Sequence, residues 1–517
     1  MARTSDPQDI GAAGADARTN VLRVRRLGIE TQQEAVIYMR RDCHVCRSEG
    51  LTAHARLRIA RGDRSTIATL NHVTTDLLAP GEAGLSEVAW RRLAAVEGGE
   101  IAVSHPDPVV SMSGVRAKIY GNRLGSDQLK TIVEDIVAGR YSDIYLASFL
   151  TACTARPLDI GEMIALTKAM VGAGETLEWP QTIVADKHCI GGLPGNRTTP
   201  IVVAIAAANG LTVPKTSSRA ITSPAGTADA METLAPVDLG LAQMRRVVER
   251  EGACIVWGGS VSLSPADDLL IRIERALDLD SGGQLVASVL SKKAAAGSTH
   301  VVIDMPVGET AKVRSAEAAM ELSRDLTAVA DALGLALTVV ETDGAQPVGR
   351  GIGPALEARD VLAVLGNEAA APQDLRQRSF ALSGRLLEIA GGIEAGTGAA
   401  VAVSTLADGR ARKKFEAICE AQGGLREPPV ARHRHTVAAE RSGRIEQIDN
   451  RILARIAKLA GAPAAKASGL EMVVRLGDPV AKGDPLFIVH GETPGELQYA
   501  VDYLGSGVVP IRIGDEA

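Results

Sequence analysis

Aromatic residues are scarce in this chain, with 4 Phe, 6 Tyr and 3 Trp among 517 residues. Base stacking on single-stranded nucleic acid needs aromatic platforms, and an aromatic cage needs several rings, so the composition argues against both. Lys and Arg number 56 against 62 Asp and Glu, which gives a net charge of −6. The chain therefore has no general positive field that would attract nucleic acid or an anionic membrane.

Long apolar runs and cysteines are also few. No apolar stretch reaches the ~18 residues of a membrane span, and the N-terminus lacks the hydrophobic region of a signal peptide, so we expect a cytoplasmic protein. The 6 cysteines do not suggest a disulfide scaffold. Cys43 and Cys46 have CxxC spacing, but the next cysteine is Cys153. We interpret the pair as structural and predict no metal site.

Changes in hydrophobic periodicity divide the chain into predicted domains of α/β class. Alternation of strand and helix predicts a mostly parallel sheet, which binds ligands at the carboxyl ends of its strands. The predicted divisions are 1–20 as a disordered arm, 21–103 as an N-terminal β-rich domain, 104–182 with 264–296 as a helical domain, 183–263 with 297–430 as the α/β domain, and 431–517 as a β-rich C-terminal α+β domain.

A glycine-rich motif spans Asp186 to Thr199. It follows a predicted strand over 182–185 and precedes an apolar helix. Its three glycines let backbone N–H groups approach an anion, and the helix N-terminus adds its positive end. Lys187 can contribute a point charge. The motif therefore predicts a phosphate-binding loop, although it is not a Walker loop because no GK[ST] ends it.

A second polar loop runs from Lys215 to Asp229. Five Ser or Thr residues and one Arg lie within eleven residues, just before a predicted helix. Hydroxyl groups and a guanidinium at a helix start suit an oxyanion or a sugar phosphate.

The two loops resemble those of thymidine and pyrimidine-nucleoside phosphorylases. The first is similar to their KHSxGG loop. The second, SSRAITSPAGTAD, is most similar to a long branch that includes AMP phosphorylases and bacterial type 2 thymidine phosphorylases. The resemblance covers about residues 21–515, with further similar stretches at 255–259, 264–268, 287–293 and 346–357. It implies a helical domain hinged to the α/β domain, an N-terminal domain that ordinary thymidine phosphorylases lack, and a homodimer or larger homo-oligomer.

The resemblance also implies roles for individual residues. The implied phosphate contacts are Lys187, Cys189, Thr199, Ser217 and Thr227. The implied sugar or sugar-phosphate contacts are Gly192, Ser218, Arg219, Ala220, Ile221, Thr222, Ser223, Ser288 and Lys312. In the AMP phosphorylase pattern Asp280 protonates the leaving base, whereas in the thymidine phosphorylase pattern His188 transfers a proton and Arg272 and Lys292 face the pyrimidine. Cys189 stands where the family usually has Ser, and a thiol is a weaker hydrogen-bond donor.

Phosphorolysis needs no nucleophilic side chain, because phosphate itself attacks the sugar, and the sequence shows no recognisable Ser-His-Asp or Cys-His signature. The enzyme must hold the phosphate dianion, stabilise an oxocarbenium-like transition state and neutralise the departing base. Asp280, Arg272 or His188 could meet the last need. Without the resemblance, Asp280 would be interpreted as a turn residue, because 279–283 has turn composition. We predict no cofactor, with inorganic phosphate as a co-substrate.

Three alternatives to thymidine phosphorolysis remain open at this point. A nucleoside-monophosphate phosphorylase would release the base and ribose 1,5-bisphosphate, with 218–223 and Lys312 binding the 5′-phosphate. An anthranilate-type phosphoribosyltransferase would need magnesium and release pyrophosphate, although the KHCIGG loop disfavours it. A non-catalytic nucleotide sensor, suggested only by Cys189, would bind phosphate and release no base.

Overall fold

A computed structural model describes residues 20–515 except Gln33, Ile221, Thr222, Ser262, Asp278 and Asp280. Nearly all of the predicted arm, residues 1–19, therefore lies outside the described residues. The chain divides into two compact units, one containing the residues up to Met112 together with Asp135–Ser142, the other containing Ser113–Glu134 and the chain from Asp143 onward.

The first unit contains a closed six-stranded barrel in the order β1-β5-β2-β4-β3-β6. Inward-facing side chains alternate with exposed ones along its strands, and Ile37, Met39 and Leu57 are fully buried, as expected for a barrel whose interior is filled by side chains. The strands are β1 (Val21–Arg26), β2 (Val36–Arg40), β3 (Arg56–Arg61), β4 (Arg64–Val73), β5 (Glu82–Leu85) and β6 (Glu100–Ser104), with helices α1 (His44–Ser48) and α2 (Glu87–Leu93).

The helical part of the chain begins with four amphipathic or buried helices. They are α3 (Met112–Ile119), α4 (Ser126–Val137), α5 (Asp143–Ala155) and α6 (Ile160–Gly172). Asp159 caps α6 by accepting from the Glu162 backbone N–H, and Glu162 forms a buried ion pair with Lys118 at 2.8 Å. Since a buried ion pair that loses one partner is strongly destabilising, this pair fixes the start of α6.

A parallel sheet forms the centre of the second unit. β7 pairs with β10 and β10 with β11, while β8 pairs with β9, all in parallel. A bridge between Val184 and Thr212 joins the two groups. The strands are β7 (Ala185–Cys189), β8 (Val213–Ser217), β9 (Ala253–Trp257), β10 (His300–Val307) and β11 (Ala336–Asp343).

Helices cover this sheet and return to the helical region. The helices that follow or precede its strands are α7 (Thr198–Ala208), α8 (Thr227–Glu232), α9 (Leu241–Glu251), α10 (Pro265–Leu277), α11 (Gly282–Ala295), α12 (Ala316–Ala332), α13 (Pro354–Leu365), α14 (Gln373–Ala390), α15 (Gly398–Ala407) and α16 (Arg410–Gln422), with a 3₁₀ turn at Gly258–Val261. α10 packs against α5, and α11 packs against α6. α7 is buried along its whole length, which explains its almost uniformly apolar sequence.

The C-terminal part of the second unit consists of two small antiparallel sheets and two helices. Their orders are β12-β15-β17-β13 and β16-β14-β18, and Leu453, Ile456 and Phe487 are fully buried between them. The elements are β12 (Gly351–Ile352), β13 (His433–Ala438), β14 (Gly443–Ile448), α17 (Asn450–Leu459), β15 (Gly469–Met472), β16 (Pro479–Val480), β17 (Pro485–Gly491), α18 (Pro494–Gly505) and β18 (Ile511–Ile513).

The predicted fold class is confirmed, with a helical region, a parallel α/β sheet and strand-rich parts at both ends. One strand prediction is wrong in its position. The strand predicted over 182–185 is β7, Ala185–Cys189, so Lys187 and His188 lie in the sheet rather than in the loop after it. None of the described helices is both long and apolar enough to cross a bilayer.

Candidate active site

The carboxyl end of β7 carries the first half of the site. Side chains alternate along a strand, so Lys187 and Cys189 project to one side of the sheet and Asp186 and His188 to the other. These side chains lie near the carboxyl end of β7, where the glycine-rich loop begins. Ligands of a parallel sheet usually bind at this end of its strands.

Lys187 forms a charge-neutral pair with Asp304 on β10. Its Nζ is fully buried and donates to Thr198 Oγ1 at 2.7 Å and to Asp304 Oδ2 at 3.2 Å. Asn196 Nδ2 also donates to Asp304 Oδ2, at 3.1 Å, and to Cys189 Sγ at 3.3 Å. Burial would raise the pKa of Asp304, but the charges of Lys187 and Arg378 and the hydrogen bonds from Thr342 and Asn196 hold it below its usual value. Burial raises the pKa of Cys189 to about 11, so the thiol is neutral near pH 7.

On the opposite side of β7 two lysines share one aspartate, and burial lowers the pKa of one of them, Lys215, to about 7. Asp186 accepts from Lys215 Nζ at 3.0 Å and from Lys293 Nζ at 2.7 Å, and all three groups are buried. Burial would raise the pKa of Asp186, but the two ammonium groups hold it below its usual value. Burial, followed by the charges of Lys293, Lys215, Lys292 and Lys187, lowers the pKa of His188 well below 6.5. The imidazole is therefore neutral at physiological pH.

The glycine-rich loop turns away from β7 through residues with positive φ. Gly191 has φ +90° and Gly192 has φ +78°. A Cβ on Gly192 would lie 2.4 Å from Lys312 Cβ, so only glycine permits the contact between this loop and Lys312. Among the described residues no side chain caps α7 at Arg197, which leaves the first N–H groups of α7 available to an anion.

The backbone of the second loop is held by Asp229 on α8. Its Oδ2 accepts from the Ala220 N–H at 2.6 Å and from the Gly226 N–H at 2.9 Å. A Cβ on Gly226 would lie 2.4 Å from the Ser218 carbonyl oxygen, so the loop closes tightly upon itself. Ser217 at the end of β8 donates to the Val256 carbonyl at 3.0 Å. These contacts within the protein define the shape of the loop.

Arg219 is held by acids of the α/β domain. Its guanidinium bonds both carboxylate oxygens of Glu232, at 2.9 and 2.7 Å, and stacks 4.9 Å from the centroid of the Trp257 ring. Lys466 pairs with the same Glu232 at 2.7 Å. The pKa of Glu232 is lowered to about 2, first by its hydrogen bond with Arg219. In this structure Arg219 therefore braces the second loop against α8.

Two predicted base-facing cations lie on the helices that return to the helical region. Arg272 on α10 bonds both carboxylate oxygens of Asp143, at 2.8 and 2.5 Å. Lys292 on α11 pairs with the buried Asp267. Although burial lowers the pKa of Lys292, Asp267 and neighbouring acids raise it above its usual value, so this lysine is charged. Burial raises the pKa of the neighbouring Asp268 to about 6.

The acidic and sulfur side chains of the site form ion pairs and hydrogen bonds with lysines and amide groups, not with one another. Within the described ranges, no group of three or more His, Cys, Asp or Glu side chains has an arrangement that could hold a metal ion.

Comparison with known proteins assigns the chain to a family. Residues 114–174 match the glycosyl transferase family helical bundle domain, 181–412 its a/b domain, and 444–509 the pyrimidine nucleoside phosphorylase C-terminal domain. A protein named "Putative thymidine phosphorylase" from Polaromonas sp. (strain JS666) is 62% identical over 496 residues, 96% of this chain and 97% of that protein. One of the same name from Legionella pneumophila is 58% identical over 483 residues, 93% of each chain. The chain belongs to the thymidine and pyrimidine-nucleoside phosphorylase family.

One solved structure of low sequence identity has a similar fold. The anthranilate phosphoribosyltransferase from Thermus thermophilus matches with a TM-score of 0.51 and 20% identity, covering 60% of this chain and 99% of that one. At this identity the likeness shows a common fold. The family membership makes the chain a glycosyltransferase of the pentosyltransferase type.

The structure brings part of the predicted site together in this phosphorylase. Lys187, Cys189 and Thr199 lie at the β7–α7 connection, and Gly192 contacts Lys312. Thr227 begins α8, where its hydroxyl accepts from Arg197, and Ser223 donates to the Ala225 carbonyl at 3.1 Å. Ser288 is half-buried on α11. Asp280, Ile221 and Thr222 lie outside the described residues, so their predicted roles stay predictions.

Sequence reasoning missed the buried polar and charged side chains that hold the site. The missed residues are Asp186, Asn196, Arg197, Lys215, Lys293 and Asp304. A signal existed for Asp304, because a charged side chain within the apolar strand 300–305 must be paired if it is buried. Asn196 Oδ1 is buried with no hydrogen-bond partner among the described residues.

Proposed function

We propose that this protein catalyses the phosphorolysis of thymidine, giving thymine and 2-deoxyribose 1-phosphate. The observation that carries the proposal is the cluster of buried lysines at the carboxyl end of β7. Three buried lysines (Lys187, Lys215 and Lys293) face two buried aspartates (Asp186 and Asp304). Burial lowers the pKa of Lys215 to about 7, and negative charge at this strand end would favour the charged form of the lysine. Phosphate, the nucleophile of this reaction, supplies such a charge.

The glycine-rich loop and α11 have different tasks in the proposed reaction: the loop binds phosphate, and α11 faces the departing base. The backbone N–H groups after Gly191, with Lys187, hold the phosphate dianion. A phosphate oxygen forms the new bond to the anomeric carbon of deoxyribose as the bond to the thymine nitrogen breaks, and the bonding pair leaves with the base.

The departing base is then neutralised by the charged groups near it. Of the residues proposed to lie near the base, Lys292 is positively charged because its pKa is raised, whereas His188 is neutral. A neutral imidazole can hydrogen-bond the base but is not a strong acid, so Lys292 is the better electrostatic partner for the leaving group. Asp280 remains our proposed proton donor, tested by the variant Asp280→Asn.

A nucleoside-monophosphate phosphorylase is the second candidate. Lys312 is the observation that favours it, because the glycine at position 192 allows this lysine to lie against the loop. A nucleoside without a 5′-phosphate has no evident need for that additional cation, whereas a 5′-phosphate does.

Release of free base from a substrate panel tests both candidates. The full-length protein is incubated with phosphate and thymidine, uridine, AMP, CMP or UMP. We expect phosphate-dependent release of thymine. If thymidine is inert while AMP is cleaved, the first proposal fails and the second stands. Phosphate binding without release of any base would indicate a sensor, and magnesium-dependent pyrophosphate release with a phosphoribosyl diphosphate would indicate a phosphoribosyltransferase.

A further inference from the structure

Arg197 connects the two polar loops of the site. It stands between the glycine-rich loop and α7. Its Nη1 donates to Thr227 Oγ1 at 2.8 Å, and its Nη2 donates to the Ala225 carbonyl at 3.0 Å. Nη2 also lies 3.5 Å from the Gly195 carbonyl of its own loop. One guanidinium therefore touches both loops.

Glu357 on α13 holds this guanidinium in place. Its Oε2 accepts from Arg197 Nε at 2.7 Å and lies 2.5 Å from Nη2, and its Oε1 accepts from the Gly353 N–H at 3.0 Å. The Glu357 side chain is 1% exposed and that of Arg197 is 11% exposed. Burial raises the pKa of Glu357 to about 7 in spite of the arginine. A buried carboxylate and the planar fork of arginine form a pair of defined geometry.

The start of α13 cannot move easily, which makes Glu357 a rigid support. Gly353 has φ +126°, and a Cβ there would lie 2.4 Å from the Ser468 carbonyl oxygen. α13 packs against both α7 and α8, the two helices that follow the loops. The Glu357–Arg197 pair is thus anchored outside the loops that it joins.

The hydrogen bond from Arg197 also sets the direction of the Thr227 hydroxyl proton. A threonine hydroxyl has one donor and can accept through its lone pairs. Because Thr227 Oγ1 accepts from Arg197, its own O–H is directed elsewhere, and the unprotonated oxygens of the phosphate dianion proposed to lie at this loop are acceptors. Arg197 therefore leaves the Thr227 hydroxyl to act as a hydrogen-bond donor to phosphate.

We propose that Arg197, supported by Glu357, is a positioning residue that sets the second loop and the Thr227 hydroxyl for phosphate. The inference rests on the proposed function, since it assumes that phosphate binds between these loops. In this proposal Arg197 contacts the phosphate-binding hydroxyl of Thr227 and need not contact phosphate itself.

The test is a double-mutant cycle on phosphate affinity. The variants Arg197→Met, Thr227→Val and their combination are compared with wild type by initial rates at varied phosphate and by the phosphate-induced shift of the thermal midpoint. A hydrogen bond to a charged group is worth a factor of about 10 to 100 in affinity, so Arg197→Met should raise KM for phosphate by about that factor. KM for thymidine should change less than about twofold. Because part of the effect of Arg197 runs through Thr227, the double variant should lose less phosphate affinity than the sum of the two single variants.

Controls separate positioning from general damage. Arg197→Lys should recover part of the phosphate affinity, since a lysine keeps the charge but not the fork, and Glu357→Gln should give a smaller loss of the same kind. Arg412→Met removes an exposed pair with Glu416 and should leave every readout unchanged.

Two results would overturn the inference. One is additive losses in the double variant; the other is an unchanged phosphate KM or thermal shift in Arg197→Met. If Arg197→Met does not fold, Arg197→Lys and Glu357→Gln decide in the same way. If wild type cleaves no panel substrate, the proposed function fails, and the thermal shift with phosphate alone still tests the role of Arg197.

Discussion

The two sides of β7 differ in charge although they are formed by alternate residues of one short strand. On one side Lys187 is matched by one carboxylate, Asp304. On the other, Asp186 is shared by Lys215 and Lys293, and His188 is kept neutral within their field. The first side is balanced, with one lysine for one carboxylate, whereas the second is lysine-rich, and burial lowers the pKa of Lys215 there to about 7.

This difference fits the geometry of a displacement reaction. Phosphate and the leaving base must lie on opposite sides of the anomeric carbon, and both carry negative charge in the transition state. A strand end that presents cations on both of its sides can serve both groups at once. Under the proposed function, the balanced side would hold phosphate through amides and Lys187, and the lysine-rich side would face the departing base.

The largest effect is expected from Lys187→Met. This change leaves Asp304 buried without its cation, so we expect a loss of about 3–5 kcal/mol in the free energy of unfolding and at least about 10²-fold in kcat/KM. Chemical denaturation and thymidine phosphorolysis measure the two losses. The double variant Lys187→Met/Asp304→Asn should regain stability but not activity. Recovery of both would mean that Lys187 is only structural.

Asp186→Asn should be the next most damaging change. It leaves Lys215 and Lys293 together without their carboxylate, and we expect about 3–5 kcal/mol of destabilisation, with a smaller loss of activity than Lys187→Met. Lys293→Met is the matched comparison, because Asp186 keeps Lys215. If Lys293→Met costs as much stability as Asp186→Asn, the excess of lysines over carboxylates on this side does not govern stability.

The position of β7 shows where sequence reasoning stopped. Asp186, Lys187 and His188 look like loop residues because charged side chains rarely occupy a buried parallel strand. Their partners Asp304, Lys215 and Lys293 come from other strands and from α11, up to 117 residues away. The fold class and the position of the glycine-rich loop could be predicted from local pattern, but this pairing is a product of the tertiary structure.

The N-terminal barrel gives the same lesson. Alternation of apolar and polar residues predicts a β-rich region over 21–103, but it does not show which strands pair with each other. Closure joins β1 in parallel to β5 and antiparallel to β6. Pairing over such distances depends on which faces fit together, which a single sequence does not display.

His188 should make the stability of the protein fall in mild acid. Its pKa in the folded state lies below the 6.5 of an ordinary histidine, so between those values the unfolded chain binds more protons and acid favours unfolding. The raised pKa values of Glu357 and Asp268 act in the opposite direction, so the effect of His188 is measured as a difference from wild type. Between about pH 7 and 5 the urea midpoint of His188→Asn, relative to that of wild type, should rise as the pH falls, whereas changing the exposed His44 to Asn should leave the difference constant. Equal slopes in all three would show that the pKa of His188 is not lowered in the folded protein.

The smallest effect is expected from Cys189→Ser, which restores the residue usual in the family. The thiol lies on the balanced side of β7, where it accepts from the Gly191 N–H at 3.4 Å and from Asn196 at 3.3 Å. It is protonated at neutral pH because burial raises its pKa to about 11, so the substitution changes no charge. A hydroxyl is the stronger donor, and one neutral hydrogen bond of about 0.5–1.5 kcal/mol corresponds to a phosphate KM lowered by roughly two- to tenfold. A rise in phosphate KM would instead show that the contact needs the larger sulfur atom, and that the balanced side of β7 is adapted to cysteine.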